Sequence, residues 1–210
     1  MRFRDRKDAA LQLVQKLTWL KDKDLLVLAI PRGGVVVGDV IAKSLDAKLD
    51  IIVPRKLGAP SNPELAIGAV MHDGSSYLND YVVKMLNVDQ EYIRSEIKEQ
   101  VREIERRLEL FRGSKKYDLA DKTIVLVDDG IATGATTMVA VTWVKKQKPK
   151  MVVLATPVAP GEVAKTLEPV VDKLIVLMMP LEFGAVGEFY EDFSQVGDED
   201  VVEILRKHKL

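Results

Sequence analysis

Short apolar runs, each closed by Pro, Gly or a charged residue, recur along the chain. They are DLLVLAI (24–30), LDIIVP (49–54), TIVLV before Asp128-Asp129, MVVLATPV (151–158) and KLIVLMM (173–179). Apolar runs of this length mark strands buried on both faces of a sheet. Between them the spacing changes to that of helices. RKDAALQLVQKLTWL (6–20) carries apolar residues at helical intervals behind Asp5, a predicted N-cap, and VVVGDVIAKSL (35–45) reads the same way. A long amphipathic helix is predicted over about 89–112, with Ile93, Ile97, Val101, Ile104, Leu108 and Phe111 on one stripe. LAIGAVM and SYL predict short strands flanking a turn at Asp73-Gly74, and RKLGAPSNPE (55–64) predicts an irregular, mobile Pro/Gly-rich loop. Strands alternating with helices predict an α/β fold built on a mainly parallel sheet with both faces covered. One domain is expected over 1–210, with a core at about 24–178.

Composition narrows the function classes. The formal net charge of −1 provides no basic excess, which disfavours a nucleic-acid surface. There is no cysteine, so disulfides and thiolate metal sites are excluded, as suits a cytoplasmic protein. The charged start MRFRDRKDAALQLV predicts neither a signal peptide nor a membrane span. His72 and His208 are isolated in the sequence and are assigned no role.

In parallel sheets, ligands bind beyond the carboxyl ends of the strands. Those ends read PRGG, PRKLGAP, DDGIATGATT, TPVAP and PLEFG. Adjacent carboxylates such as Asp128 and Asp129 repel each other unless a ligand or metal uses them, and neighbouring strand residues point to opposite faces. The loop Gly130–Thr137 has glycines that permit tight turning and hydroxyls on Thr133, Thr136 and Thr137. Backbone N–H groups there, backed by a helix starting near Ala135, suit a phosphate. The loop lacks the Lys of a Walker motif and the spacing of a dinucleotide fingerprint. From the residues alone, an ordinary turn with a Thr cap and two solvated acids stays open.

IVLVDDGIATGATT resembles the phosphoribosyl pyrophosphate (PRPP) motif of the type I phosphoribosyltransferases. AIPRGG resembles their pyrophosphate loop, and VPRKLGAPSNPELAIGAV their Arg-Lys strand end and mobile catalytic loop, in the same chain order. The whole pattern, with FGAVGEFYEDF, is similar to members whose acceptor is unassigned.

The resemblance implies a three-layer α/β/α fold with a twisted sheet and a small hood, formed by about 180–210 with the N-terminal segment. It implies Mg²⁺-dependent transfer of phosphoribose from PRPP to a nitrogenous small-molecule acceptor, with release of pyrophosphate. On that basis Gly130, Ala132, Thr133, Gly134, Ala135 and Thr136 hold the 5-phosphate. Asp128 and Asp129 take the ribose hydroxyls and support Mg²⁺ through water. Arg32, Gly33, Gly34, Arg55 and Lys56 meet pyrophosphate, and Glu64 joins Asp128, Asp129, Arg55 and Lys56 as a catalytic candidate. Phe183 and Tyr190 are the base-binding aromatics of the hood, although for either one a small satellite core is an equal reading. Ala132 stands where 6-oxopurine enzymes of the family carry an Asp facing the base, so hypoxanthine and guanine are disfavoured. A homodimer is an expectation, and the stripe of the long helix is read as core or dimer packing. The alternatives are a PRPP- or nucleotide-sensing regulator without turnover and, further off, a metal hydrolase using Asp128.

Overall fold

The computed structural model describes residues 2–21 and 23–208. The chain forms two compact units: 1–52, 118–132 and 144–210 make the first, and 53–117 with 133–143 the second.

The first unit holds a five-stranded sheet. Its strands are β1 (Leu25–Ala29), β2 (Lys48–Ile51), β6 (Thr123–Val127), β7 (Met151–Val158) and β8 (Lys173–Met178), in the order β2-β1-β6-β7-β8. Every neighbouring pair is parallel, as the apolar runs predict. β1 and β6 are buried along their whole length, so both sheet faces are covered. From β1 the chain passes through helix α2 (Gly33–Leu45) to β2, whereas β6 through β8 step away on the other side. Strand order therefore reverses between β1 and β6, the place where open parallel sheets leave a crevice. Register levels the two strand ends, since Ala29 pairs with Val127 and Ile30 N–H donates to the Val127 carbonyl at 2.9 Å.

Helix α1 (Arg6–Leu17) starts at the predicted cap, where the Asp5 carboxylate accepts from Asp8 N–H at 2.8 Å. α1 lies against β7, β8 and α2. α6 (Gly161–Leu167) follows β7, and α7 (Asp198–His208) packs on α2 and β2. The α7 docking includes a 2.7 Å contact from His208 Nε2 to Asp39 on α2.

The second unit departs from expectation at 55–64. Instead of an irregular loop, β3 (Arg55–Ala59) and β4 (Asn62–Val70) form an antiparallel hairpin, to which β5 (Ser76–Leu78) adds the third strand. Its Pro and Gly residues sit at a shift in pairing register around Gly58. A Cβ on Gly58 would stand 2.8 Å from the Pro63 backbone, so glycine is what lets the strands close there. The turn at Asp73-Gly74 forms as predicted, with Gly74 at φ +80° and the Asp73 carboxylate accepting from Ser75 N–H at 2.9 Å. A short helix α3 (Asp80–Met85) follows, capped by Asn79. The long helix α4 spans Gln90–Arg112 behind Asp89 and ends at Gly113 in the left-handed region. α5 (Ala135–Lys146) opens after Gly134 and belongs to this unit as far as Trp143. Among the described residues, no helix is long and apolar enough to cross a membrane.

On α4, Glu103 accepts from Arg106 and Arg107, each at 2.8 Å, and the Arg106 contact is the main cause of its pKa falling from 4.5 to about 2. A depressed carboxylate stabilises the fold above its ordinary pKa and loses that contribution as pH falls toward 2. Glu103→Gln is therefore expected to cost about 0.5–1 kcal/mol near neutral pH, a small figure because the side chains are partly solvated. The difference should close in melts near the depressed value, and a pH-independent difference would contradict the ion-pair origin.

Candidate functional site

Asp128 and Asp129 follow directly on β6 at the reversal of strand order. Their environments differ. An Asp128 carboxylate oxygen accepts from Asp129 N–H at 2.8 Å. Burial, and then the adjacent Asp129 charge, push the Asp128 carboxyl well above the usual carboxylate range. Asp129 Oδ2 instead accepts from Arg6 Nε at 2.6 Å, with the two side chains only 14% and 11% exposed.

The first turn of α2 explains the double glycine of PRGG. A Cβ on Gly33 would lie 1.8 Å from Asp129 Oδ2, and one on Gly34 would lie 3.0 Å from the Asp128 Cα. Helix and acid pair approach so closely that only hydrogen side chains fit. The α2 N-terminus, with its partial positive charge, thus abuts the two acids. The Pro31–Arg32 peptide is cis. Arg32 makes a 3.5 Å ion pair with Asp198 on α7, both side chains being about one-third exposed.

Arg6 is the residue that sequence reasoning missed. Besides Asp129, its Nη1 donates to the Ser194 carbonyl at 2.8 Å, and its guanidinium lies 3.9 Å over the Phe193 ring. Nothing in MRFRDRKD singles it out, because its partner is 123 residues away.

The segment around Phe3 pairs with the segment around Tyr190. Phe3 pairs with Tyr190 in a bridge, Phe3 N–H donates to the Phe189 carbonyl and Glu191 N–H to the Phe3 carbonyl, both at 2.8 Å. Tyr190 is 3% exposed, packed with Phe3 and Ala9 and flanked by Val186, Phe189 and Phe193. Its hydroxyl donates to the Asp129 carbonyl at 2.5 Å, so this ring belongs to a satellite core that braces the acid pair. Phe183 is half-buried and stacks on Phe189 at 5.3 Å.

The loop after the acids leaves the first unit at Ala132, which is exposed together with Thr133. Gly130 lies where a Cβ would fall 2.3 Å from Val186, and Gly134 has φ +77°. Both sequence-predicted glycines are thus required by geometry. The Gly134 carbonyl accepts from Met138 N–H at 2.8 Å as α5 begins.

The second unit brings Arg55, Lys56 and Glu64 together on the β3–β4 hairpin. Lys56 Nζ donates to both the side chain and the carbonyl of Glu64 at 3.0 Å, and the Glu64 side chain is 91% exposed. These residues line a cavity of about 330 Å³ with Gln100 and Arg107 of α4. Burial, and then the Arg107 charge, lower the Arg55 pKa.

The described residues contain no group of three or more His, Cys, Asp or Glu arranged to cage a metal ion. One oxygen of Asp129 is already occupied by Arg6. The half-buried, charge-crowded Asp128 is a group that a cation would relieve. The donor set therefore suits a cation held through water and not a protein-enclosed ion.

The phosphoribosyl transferase domain model matches residues 2–177. A Mycobacterium tuberculosis protein provisionally named as a phosphoribosyl transferase is 43% identical over 209 residues, which is 99% of this chain and 47% of that protein. The chain thus spans about half the length of the curated relatives it matches. The crystal structure of the protein TT1426 from Thermus thermophilus is 41% identical, covers 99% of both chains and superposes with a TM-score of 0.82. A hypoxanthine phosphoribosyltransferase from Staphylococcus aureus, 13% identical over 85% of this chain and 75% of its own, shares the fold with a TM-score of 0.51. With the domain model matching most of its length, the chain belongs to the phosphoribosyl transferase family.

Proposed function

We propose that the protein transfers phosphoribose from PRPP to a nitrogenous small-molecule acceptor and releases pyrophosphate. The observation that carries this reading is the acid pair of β6 pressed against the glycine start of α2 at the reversal of strand order. In the proposed reaction the bond from the anomeric carbon to the pyrophosphate oxygen breaks, and its electron pair leaves with pyrophosphate. A bond forms from the acceptor nitrogen to that carbon, and the proton on the nitrogen passes to a base. Partial positive charge develops on the ribose, as in glycoside hydrolysis.

Each residue then has an assigned task. Asp128 and Asp129 accept from the ribose hydroxyls, and their negative charge favours the developing cation. The N–H and hydroxyl groups of 130–136 hold the 5-phosphate. Arg32, Gly33, Gly34, Arg55 and Lys56 receive the diphosphate, where a guanidinium offers charge-assisted bonds. The weak exposed Lys56–Glu64 pair is one that an anion could separate, freeing Glu64 as the candidate proton acceptor. Phe183 offers the aromatic face for the acceptor ring, braced by Phe189 and the Tyr190 cluster. Mg²⁺ would be held through water by Asp128 and Asp129, and when bound it would neutralise charge on the departing diphosphate.

Ala132 provides no carboxylate for a 6-oxopurine N–H, so hypoxanthine and guanine should be poor acceptors. Incubation with PRPP, Mg²⁺ and single nitrogenous acceptors, with nucleotide detected by mass, tests both statements. Product is expected with an acceptor other than those two. Efficient conversion of hypoxanthine or guanine would overturn the acceptor reading. PRPP binding without turnover on any acceptor would favour the sensing role.

A further inference from the structure

Tyr92, Glu96 and Gln100 stand four residues apart on α4, so their side chains share one face of the helix. All three reach the β3–β4 hairpin of the same unit. Arg55 Nε donates to Gln100 Oε1 at 2.8 Å, and Gln100 Nε2 donates to Glu96 Oε1 at 3.1 Å. The same Glu96 oxygen accepts from Gly58 N–H at 3.3 Å, while the Tyr92 hydroxyl donates to the Gly58 carbonyl at 3.0 Å. The relay fixes the amide orientation. Glu96 can only accept, so the nitrogen of Gln100 must face it and the oxygen must face Arg55.

The chemistry of the partner matters more than its presence. A guanidinium retained for stability is best met by a carboxylate, which binds it in two places and cancels its charge. Glu96 lies one turn from Gln100 on the same face, yet it is spent on Gly58 and Gln100. Among the described residues Arg55 makes no ion pair, and its hydrogen bond is through Nε alone. A neutral amide therefore orients the side chain of this cavity-lining residue; Glu103 and Glu96 act on its charge only from beyond ion-pair distance, and among the described residues neither Nη makes a hydrogen bond.

We propose that Gln100 is a positioning residue, which aims Arg55 at the diphosphate of the substrate while keeping its charge available. The proposal rests on the reading of Arg55 as a pyrophosphate ligand. Glu96 and Tyr92 complete the device by tying the hairpin to the same helix face. It gives the polar stripe of α4 a task that solvation alone would not require.

Gln100→Glu separates this role from a structural one. The carboxylate keeps the shape and the contact to Arg55 but cancels the charge, and it gives up the donation to Glu96. Titrating pyrophosphate with Mg²⁺ into the whole chain should show affinity weakened about tenfold, equivalent to about 1.4 kcal/mol. The melting temperature should fall by no more than a few degrees, from the lost donation to Glu96, and affinity for ribose 5-phosphate should not change. Gln100→Ala should also weaken pyrophosphate binding, and adding Gln100→Glu to Arg55→Ala should bring no further loss. If Arg55→Ala weakens pyrophosphate binding while both Gln100 variants bind normally, the role of Gln100 is overturned and the proposed function stands. If Arg55→Ala also binds normally, the reading of Arg55 falls and the proposal falls with it.

Discussion

Replacing Asp128 with Asn is expected to cut turnover on the order of a hundredfold while raising the melting temperature of the ligand-free protein. The two effects have one origin. The Asp128 carboxyl is held above its ordinary pKa of 3.8 by burial and by the charge of Asp129. The folded protein therefore keeps this proton at pH values where the unfolded chain has released it. Stability falls as pH rises from the ordinary value through the raised one, and the deficit persists above both. Asn carries no charge to desolvate and can still accept from Asp129 N–H through its amide oxygen, as the carboxylate does at 2.8 Å. The stabilisation should be absent below 3.8 and grow as pH rises from there through the raised value. Lost activity follows because an amide accepts less strongly from ribose hydroxyls and does not offset positive charge at the anomeric carbon. Thermal melts across pH, paired with turnover assays, check both halves. An Asn variant less stable than the parent at neutral pH would contradict the account of the acid pair as a strained, functional feature.

Gly33→Ala is expected to have the largest structural effect of any single methyl addition in the first unit. The new Cβ would sit 1.8 Å from Asp129 Oδ2, 2.5 Å from its Cγ and 2.8 Å from Arg6 Nε. All three atoms belong to a nearly buried ion pair, so no flexible chain end can swing into solvent to make room. Either α2 shifts at its first turn or the Arg6–Asp129 pair breaks. A broken buried pair leaves an uncompensated charge. The expected cost is about 2–4 kcal/mol, seen as a fall in melting temperature of roughly 5–15 °C. Phosphate-ligand binding should fall with it. A variant that melts within about a degree of the parent and binds PRPP normally would show that the packing of α2 on the acid pair is not as tight as drawn.

The sheet was legible because its strands are buried on both faces and announce themselves as apolar runs, TIVLV most clearly. The acid pair was legible for the opposite reason, since two carboxylates directly after such a run conflict with burial unless they serve a ligand. The β3–β4 hairpin was not, because Gly58, Pro60 and Pro63 carry the ordinary composition of a loop. Only the approach of Gly58 to Pro63 shows that they accommodate an irregular strand pairing. α7 carried a usable signal in DEDVVEILRKH, with acids in its first turn and bases in its last. The Arg6–Asp129 and Arg55–Gln100 contacts had no local signature. Each joins residues far apart in the chain, and side chains of these types are common on solvated helices.

The most direct measurement of the central claim is a calorimetric titration of PRPP with Mg²⁺ into the intact chain and into Asp128→Asn. Saturable one-to-one binding is expected for the parent, displaced by ribose 5-phosphate and by pyrophosphate separately, with affinity at least about tenfold weaker in the variant. Absence of saturable binding to the parent, or equal affinity in Asp128→Asn, would contradict the assignment of the β6 acid pair to a phosphoribosyl site.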